Sequence, residues 1–178
     1  AIYYTRELED ALENADVIFG AKSILERVDK NRIKAEFVPL YMGKDILEFL
    51  NEYPNYKKPL ALFSGDICLC SGAKNAAKVF ENAGYGVHKI SGISSVALFA
   101  NRLGLGLEDC SIVSAHGREC NVAGYIAEAK RLIILPSSCA HAGDIARTAF
   151  AVAKINDYGR NDSVKVEGFG ECGDLKNS

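Results

Sequence analysis

Apolar residues recur along this chain in two alternating rhythms, short unbroken runs and spacings of three or four, and the alternation predicts strands separated by helices. Leu8, Ala11, Leu12 and Ala15 fall at helical spacing behind Thr5, whose hydroxyl suits an N-cap. The run Val17-Ile18-Phe19, closed by Gly20, predicts a buried strand. A second run, Phe37-Val38-Pro39-Leu40, precedes a helix carrying Ile46, Leu47, Phe49 and Leu50, and Pro54 and Pro59 punctuate the connection that follows. Leu60 to Phe63 predicts another buried strand. Ser71 can cap the next helix, which carries Ala73, Ala76, Ala77 and Phe80 and stops at Gly84.

Val87 to Ile90 predicts a further strand, and Gly92-Ile93-Ser94-Ser95 turns into a helix through Val96, Phe99 and Leu103. The segment Leu103-Gly104-Leu105-Gly106 ends that helix and is the expected domain boundary, giving residues 1–104 and 105–178. Beyond it come a strand at Ile112-Val113, a helix from Val122 to Ala129, a strand from Leu132 to Leu135, a helix from about His141 to Ile155, and a strand at Val164-Lys165-Val166. Strands separated by helices of this length pair in parallel through right-handed crossovers, so the fold class is α/β.

Three polar, glycine-bearing loops follow strands, where open parallel sheets bind ligands. In Ser64-Gly65-Asp66 the glycine lets backbone approach a ligand and the carboxylate accepts from an ammonium or hydroxyl, although both are also ordinary turn residues. In Gly92-Ile93-Ser94-Ser95, amides and two hydroxyls at a helix start suit a carboxylate or ribose, or simply cap the helix. In Ser114-Ala115-His116-Gly117-Arg118, Arg118 suits a carboxylate bidentately and His116 can bond or move a proton, although such a triplet also serves as a plain surface loop.

Charge narrows the partners. Twenty-one Lys and Arg against 23 Asp and Glu leave a net charge of -2 across 178 residues. A nucleic-acid backbone usually demands a strong basic excess, so no nucleic-acid partner is expected. No apolar run approaches the roughly 20 residues that span a bilayer. Without a signal-peptide pattern at Ala1-Ile2-Tyr3-Tyr4-Thr5-Arg6, a cytoplasmic location is expected and no membrane partner. The six cysteines, at 68, 70, 110, 120, 139 and 172, include no C-x-x-C pair, so they are expected to act as small reduced hydrophobes, with no protein metal site.

The order of these features carries more than any one of them. A buried strand, S-G-D, S-G-A opening a helix, G-Y-x-V, G-I-S-S, L-G-L and then S-x-H-G-R resembles the tetrapyrrole methylase family, and S-x-H-G-R is similar to its cobalt-precorrin carbon-5 methyltransferase branch. Ala15 to Lys22 resembles that branch's first helix-to-strand passage. The resemblance implies a two-domain α/β enzyme, usually a homodimer, that binds S-adenosylmethionine in a cleft and methylates a tetrapyrrole ring carbon on the way to cobalamin.

On the same resemblance, Ser64, Gly65 and Asp66 form the first donor loop, and Gly92, Ile93, Ser94 and Ser95 form the second. Leu135, and with it the strand end around Gly168, would add donor contacts. Arg118 would anchor a substrate carboxylate and His116 would orient the ring or accept a proton. In some relatives a decarboxylating C15-methyltransferase acts alongside this branch, so a separate protein of that kind, or none, is the expected partner. The family opens with a strand and a Gly-Pro-Gly loop, and Tyr3-Tyr4-Thr5-Arg6 is similar to the residues just after that loop. Other readings stand beside this one: a methyltransferase of the same fold acting on another tetrapyrrole position, diphthamide or RNA, or a non-catalytic module for a nucleotide-like ligand.

Overall fold

The computed structural model describes residues 5–115 and 121–156. One compact unit ends at Ser95 and a second begins at Val96, at the start of a helix whose far end is the boundary expected from sequence. His116, Arg118, Gly168 and the expected strand at Val164–Val166 lie outside the described residues.

In the first unit, helix α1 (Arg6–Asn14) begins at Thr5, whose Oγ1 accepts from the Leu8 amide at 3.3 Å. Strand β1 (Val17–Gly20) follows, then the short helix α2 (Lys22–Leu25), a 3-10 turn at Lys30–Arg32, and β2 (Glu36–Val38). Helix α3 (Gly43–Glu52), β3 (Pro59–Leu62) and α4 (Ala73–Asn82) complete the regular elements of this unit. The strands run parallel in the order β2-β1-β3, with Ile18 opposite Phe37 and Leu60.

The central strand explains the layering. Its side chains alternate faces, and β1 is buried throughout because helices cover both. Ile18 packs on one face with Leu12, Leu25, Val28, Ala35 and Leu62. On the other, Val17 and Phe19 pack with Ile46 and Leu50. Val17, Ile18 and Phe19 are each 0% exposed, and burying side chains of this size contributes roughly 1.5–3 kcal/mol apiece. Phe49 extends the second cluster, edge-on to Phe19 at 5.4 Å and stacked on Tyr56 at 5.9 Å.

Two local devices fix this layout. Asp16 Oδ2 accepts from the backbone amides of Lys57 at 2.5 Å and Lys58 at 2.9 Å, while the Asp16 carbonyl accepts from Glu36 at 3.1 Å. One residue thus joins β1 to both neighbours and sets their register. Gly43, at the start of α3, lies so near α4 that a Cβ there would stand 2.8 Å from Ala76 Cα. Only a glycine lets these two helices approach so closely.

The strand expected at Val87–Ile90 is not formed: residues 85–94 belong to no helix or strand. Val87 and Ile90 are half-buried three positions apart, whereas a half-buried strand needs period two. The residues between them bond outward, His88 Nε2 lying 2.9 Å from Glu7 Oε1 and Lys89 Nζ 3.1 Å from Glu81 Oε1. Helix α4 ends as expected at Gly84, with φ +87° and the Tyr85 amide donating back to Phe80 O at 3.0 Å.

In the second unit, α5 (Ser95–Arg102) is followed by a 3-10 turn at Leu107–Asp109, β4 (Ser111–Ser114), α6 (Val122–Glu128), β5 (Leu132–Leu135) and α7 (Cys139–Asn156). Gly104, at φ +66°, closes α5 as the sequence predicts. Strands β4 and β5 pair in parallel from Ser111 opposite Leu132 to Ser114 opposite Leu135. The Ala115 amide continues the ladder to Leu135 O at 3.0 Å. Together these elements make the α/β class with parallel sheets that the hydrophobic pattern predicts.

Candidate functional site

The site is built where β3 ends. Parallel strands present their carboxyl ends at one edge of a sheet, so the chain leaving Leu62 passes directly into Ser64-Gly65-Asp66 at that edge. Gly65 takes φ +69°, a left-handed conformation that side-chain-bearing residues rarely adopt. Ser64 and Gly65 are exposed, and Asp66 is half-buried.

Asp66 organises the turn beyond it. Its Oδ1 accepts from the Cys68 amide at 2.8 Å and its carbonyl accepts from the Leu69 amide at 3.1 Å. One carboxylate oxygen is thereby used locally, and the side chain retains acceptor capacity for a ligand hydroxyl or ammonium. The turn then runs through Cys70, at φ 51°, to Ser71, whose Oγ accepts from the Ala73 amide at 3.2 Å; the N-cap of α4 is Gly72 rather than the expected Ser71, which lies one residue outside the helix start.

The second loop comes against the first. A Cβ built on Gly92 would overlap the carbonyl oxygen of Gly65 and lie 3.0 Å from its carbonyl carbon. The two turns singled out in the sequence therefore touch backbone to backbone, and a residue with a side chain at 92 would force them apart. The segment leading to Gly92 is fastened to α1, both by the Glu7–His88 contact and by Thr5 Oγ1 donating to Ser91 O at 3.5 Å. Ser94 is half-buried and Ser95, the first residue of α5, is exposed.

In the second unit, half-buried Leu135 closes β5. The chain then passes through Pro136, Ser137 and Ser138 into α7, with Ser137 Oγ 2.7 Å from His141 Nδ1 and Ser138 Oγ accepting from the His141 amide at 3.1 Å. This pair carries a single signal in the sequence, a serine four residues before a histidine at a helix start.

Among the described residues, no charged side chain is buried and no three metal-ligating side chains lie together. No helix among them is long and apolar enough to cross a membrane. The expectation that the cysteines act as small hydrophobes does not hold at the first loop. Cys68 and Cys70 are exposed, because the turn set by Asp66 carries them along the surface, and Cys110 is half-buried.

The model of the tetrapyrrole (corrin/porphyrin) methylases matches residues 2–154. A protein of Methanocaldococcus jannaschii described as a probable cobalt-precorrin-7 C(5)-methyltransferase is 29% identical over 140 residues, covering 76% of this chain and 66% of that relative. The chain thus spans just under two thirds of that relative's length. The crystal structure of the cobalamin biosynthesis precorrin-6Y methylase (cbiE) from Archaeoglobus fulgidus aligns with a TM-score of 0.48 and 24% identity, over 74% of this chain and 66% of that one. Since the family match runs from ahead of α1 well into α7, taking in both glycine-bearing turns, the chain belongs to the tetrapyrrole methylase family.

Proposed function

We propose that this chain is an S-adenosylmethionine-dependent methyltransferase acting on carbon 5 of a precorrin or cobalt-precorrin in cobalamin biosynthesis. The observation that carries the reading is the backbone contact of Gly92 with Gly65, which brings together two turns of the kind that hold a donor. The name of the Methanocaldococcus jannaschii relative supports the choice of substrate.

The chemical character of the two turns fits such a donor. Asp66 offers a carboxylate to a ribose hydroxyl or an ammonium, Ser64, Ser94 and Ser95 offer hydroxyls, and Gly65 and Gly92 leave room for close backbone approach. Leu135 and Gly168 are assigned further donor contacts. S-adenosylmethionine brings an already activated methyl group. The protein's share is therefore to align the reacting atoms and keep water out, tasks for which position matters more than covalent chemistry. Arg118 is assigned to a peripheral carboxylate of the macrocycle, and His116 to orienting the ring or accepting a proton. Any cobalt travels within the substrate. A homodimer, a cytoplasmic location and a separate decarboxylating C15-methyltransferase partner belong to the same proposal.

Isothermal titration calorimetry with S-adenosylmethionine and S-adenosylhomocysteine tests it. Saturable binding of both is expected; a folded protein that binds neither removes the methylase reading and leaves the family's fold without its chemistry.

A further inference from the structure

We infer that Cys68 and Cys70 form a redox-active thiol pair whose closure into a disulfide disables the first donor loop. The inference rests on the donor-site reading of Ser64-Gly65-Asp66 and adds a modification site to it. Both thiols are exposed, one residue apart, immediately beyond Asp66. Cysteines used as packing are among the most buried of residues, so an exposed pair on a surface turn is placed for reaction with solutes.

The backbone brings closure within reach. Residues i and i+2 are at most about 7 Å apart even in an extended chain, and bending brings them within the roughly 4.4–6.8 Å over which a disulfide forms. This segment bends twice, at the turn in which the Leu69 amide donates to Asp66 O at 3.1 Å and at Cys70, where φ is 51°. Glycine is the usual occupant of such a left-handed position, yet here it carries a thiol.

Closure is coupled to the donor loop through one hydrogen bond. The Cys68 amide donates to Asp66 Oδ1 at 2.8 Å and so holds the carboxylate in place. Joining Cys68 Sγ to Cys70 Sγ imposes a small ring that turns the backbone across Cys68 and Leu69, withdraws that amide and releases the Asp66 side chain. The chemistry balances with a low-molecular-weight disulfide as oxidant. One cysteine thiolate attacks a sulfur of the oxidant, forming a mixed disulfide and expelling the first thiolate. The second cysteine attacks the protein-bound sulfur, forming the Cys68–Cys70 bond and expelling the second. The protein loses two electrons and two protons, and the oxidant gains them as two thiols. Exposed disulfides in small rings are readily reduced, so the step reverses with a dithiol reductant.

The test treats the full chain with glutathione disulfide and then with dithiothreitol. The expected results are a Cys68–Cys70 linkage in peptide mass maps with loss of two hydrogens, displacement of the Cys68 amide resonance, and an S-adenosylhomocysteine affinity lowered about tenfold and restored on reduction. The double variant Cys68→Ser/Cys70→Ser should bind S-adenosylhomocysteine with an affinity that glutathione disulfide does not change. Failure of the linkage to form, or its formation with the Cys68 amide resonance unmoved, overturns the inference. An unchanged affinity in a linked protein that binds when reduced does the same. A reduced protein that binds no S-adenosylhomocysteine removes the donor-site reading instead, and the inferred device falls with it even where the linkage and amide shift are seen.

Discussion

Gly92 lies so close to Gly65 that no side chain fits between them: a Cβ on Gly92 would overlap the Gly65 carbonyl oxygen and stand 3.0 Å from its carbonyl carbon. The neighbours it would meet are backbone, which cannot swing aside as a side-chain tip would. Gly92→Ala should therefore separate the two turns and lower S-adenosylhomocysteine affinity by about tenfold or more, some 1.4 kcal/mol, read by calorimetry. Gly65→Ala is the informative contrast. A Cβ at Gly65 meets nothing within 4 Å, and the cost is left-handed backbone strain of about 1–2 kcal/mol. It should lower thermal stability more than it separates the turns.

Asp66 is predicted to act on the ligand through charge and on its own turn through Oδ1. Asp66→Asn keeps a carbonyl oxygen for the Cys68 amide but removes the charge. Donor affinity should fall by about 1.5–3 kcal/mol, the scale of a hydrogen bond to a charged group, with the unfolding midpoint moved little. An equal loss of both would mean that Asp66 is only a turn residue.

Asp16 and Gly43 are predicted to govern stability rather than chemistry. Asp16→Ala strips an acceptor from the Lys57 and Lys58 amides at the start of β3 and should cost about 1–3 kcal/mol in denaturant unfolding. Gly43→Val drives a side chain into the Ala76 backbone at the α3–α4 crossing and should cost about 1–3 kcal/mol.

Tyr56 gives a pH prediction. Its hydroxyl donates to Glu36 Oε2, and that hydrogen bond, followed by a small desolvation effect and the nearby negative charge, raises the phenol above its ordinary value of 10.0. The folded value exceeds the unfolded one, so this stabilisation is present below the unfolded value and is lost as pH rises through the folded one. Spectrophotometric titration should find one tyrosine ionising late, and Glu36→Gln should bring it earlier.

Much of the first unit was legible in the sequence because its signals are local. Thr5 followed by Leu8 and Leu12 announces a capped helix, and Val17-Ile18-Phe19 has no polar position to turn outward. The turns at Ser64–Asp66 and Gly92–Ser95 were legible for the same reason. Their mutual contact was not, since nothing near Gly65 in sequence reports that residue 92 will lie against it. The expected strand at Val87–Ile90 does not form because its apolar positions lack period two, and because the partners of His88 and Lys89, Glu7 and Glu81, come from α1 and α4. The exposure of Cys68 and Cys70 was not legible, because cysteine is usually buried and exposure here follows from the turn that Asp66 organises.

Amide chemical-shift mapping of the titration with S-adenosylhomocysteine tests the account most directly. If the two turns form one donor site, amides from Ser64 to Asp66 and from Gly92 to Ser95 should move together along a single binding curve. Shifts in one turn while the other stays still would contradict it.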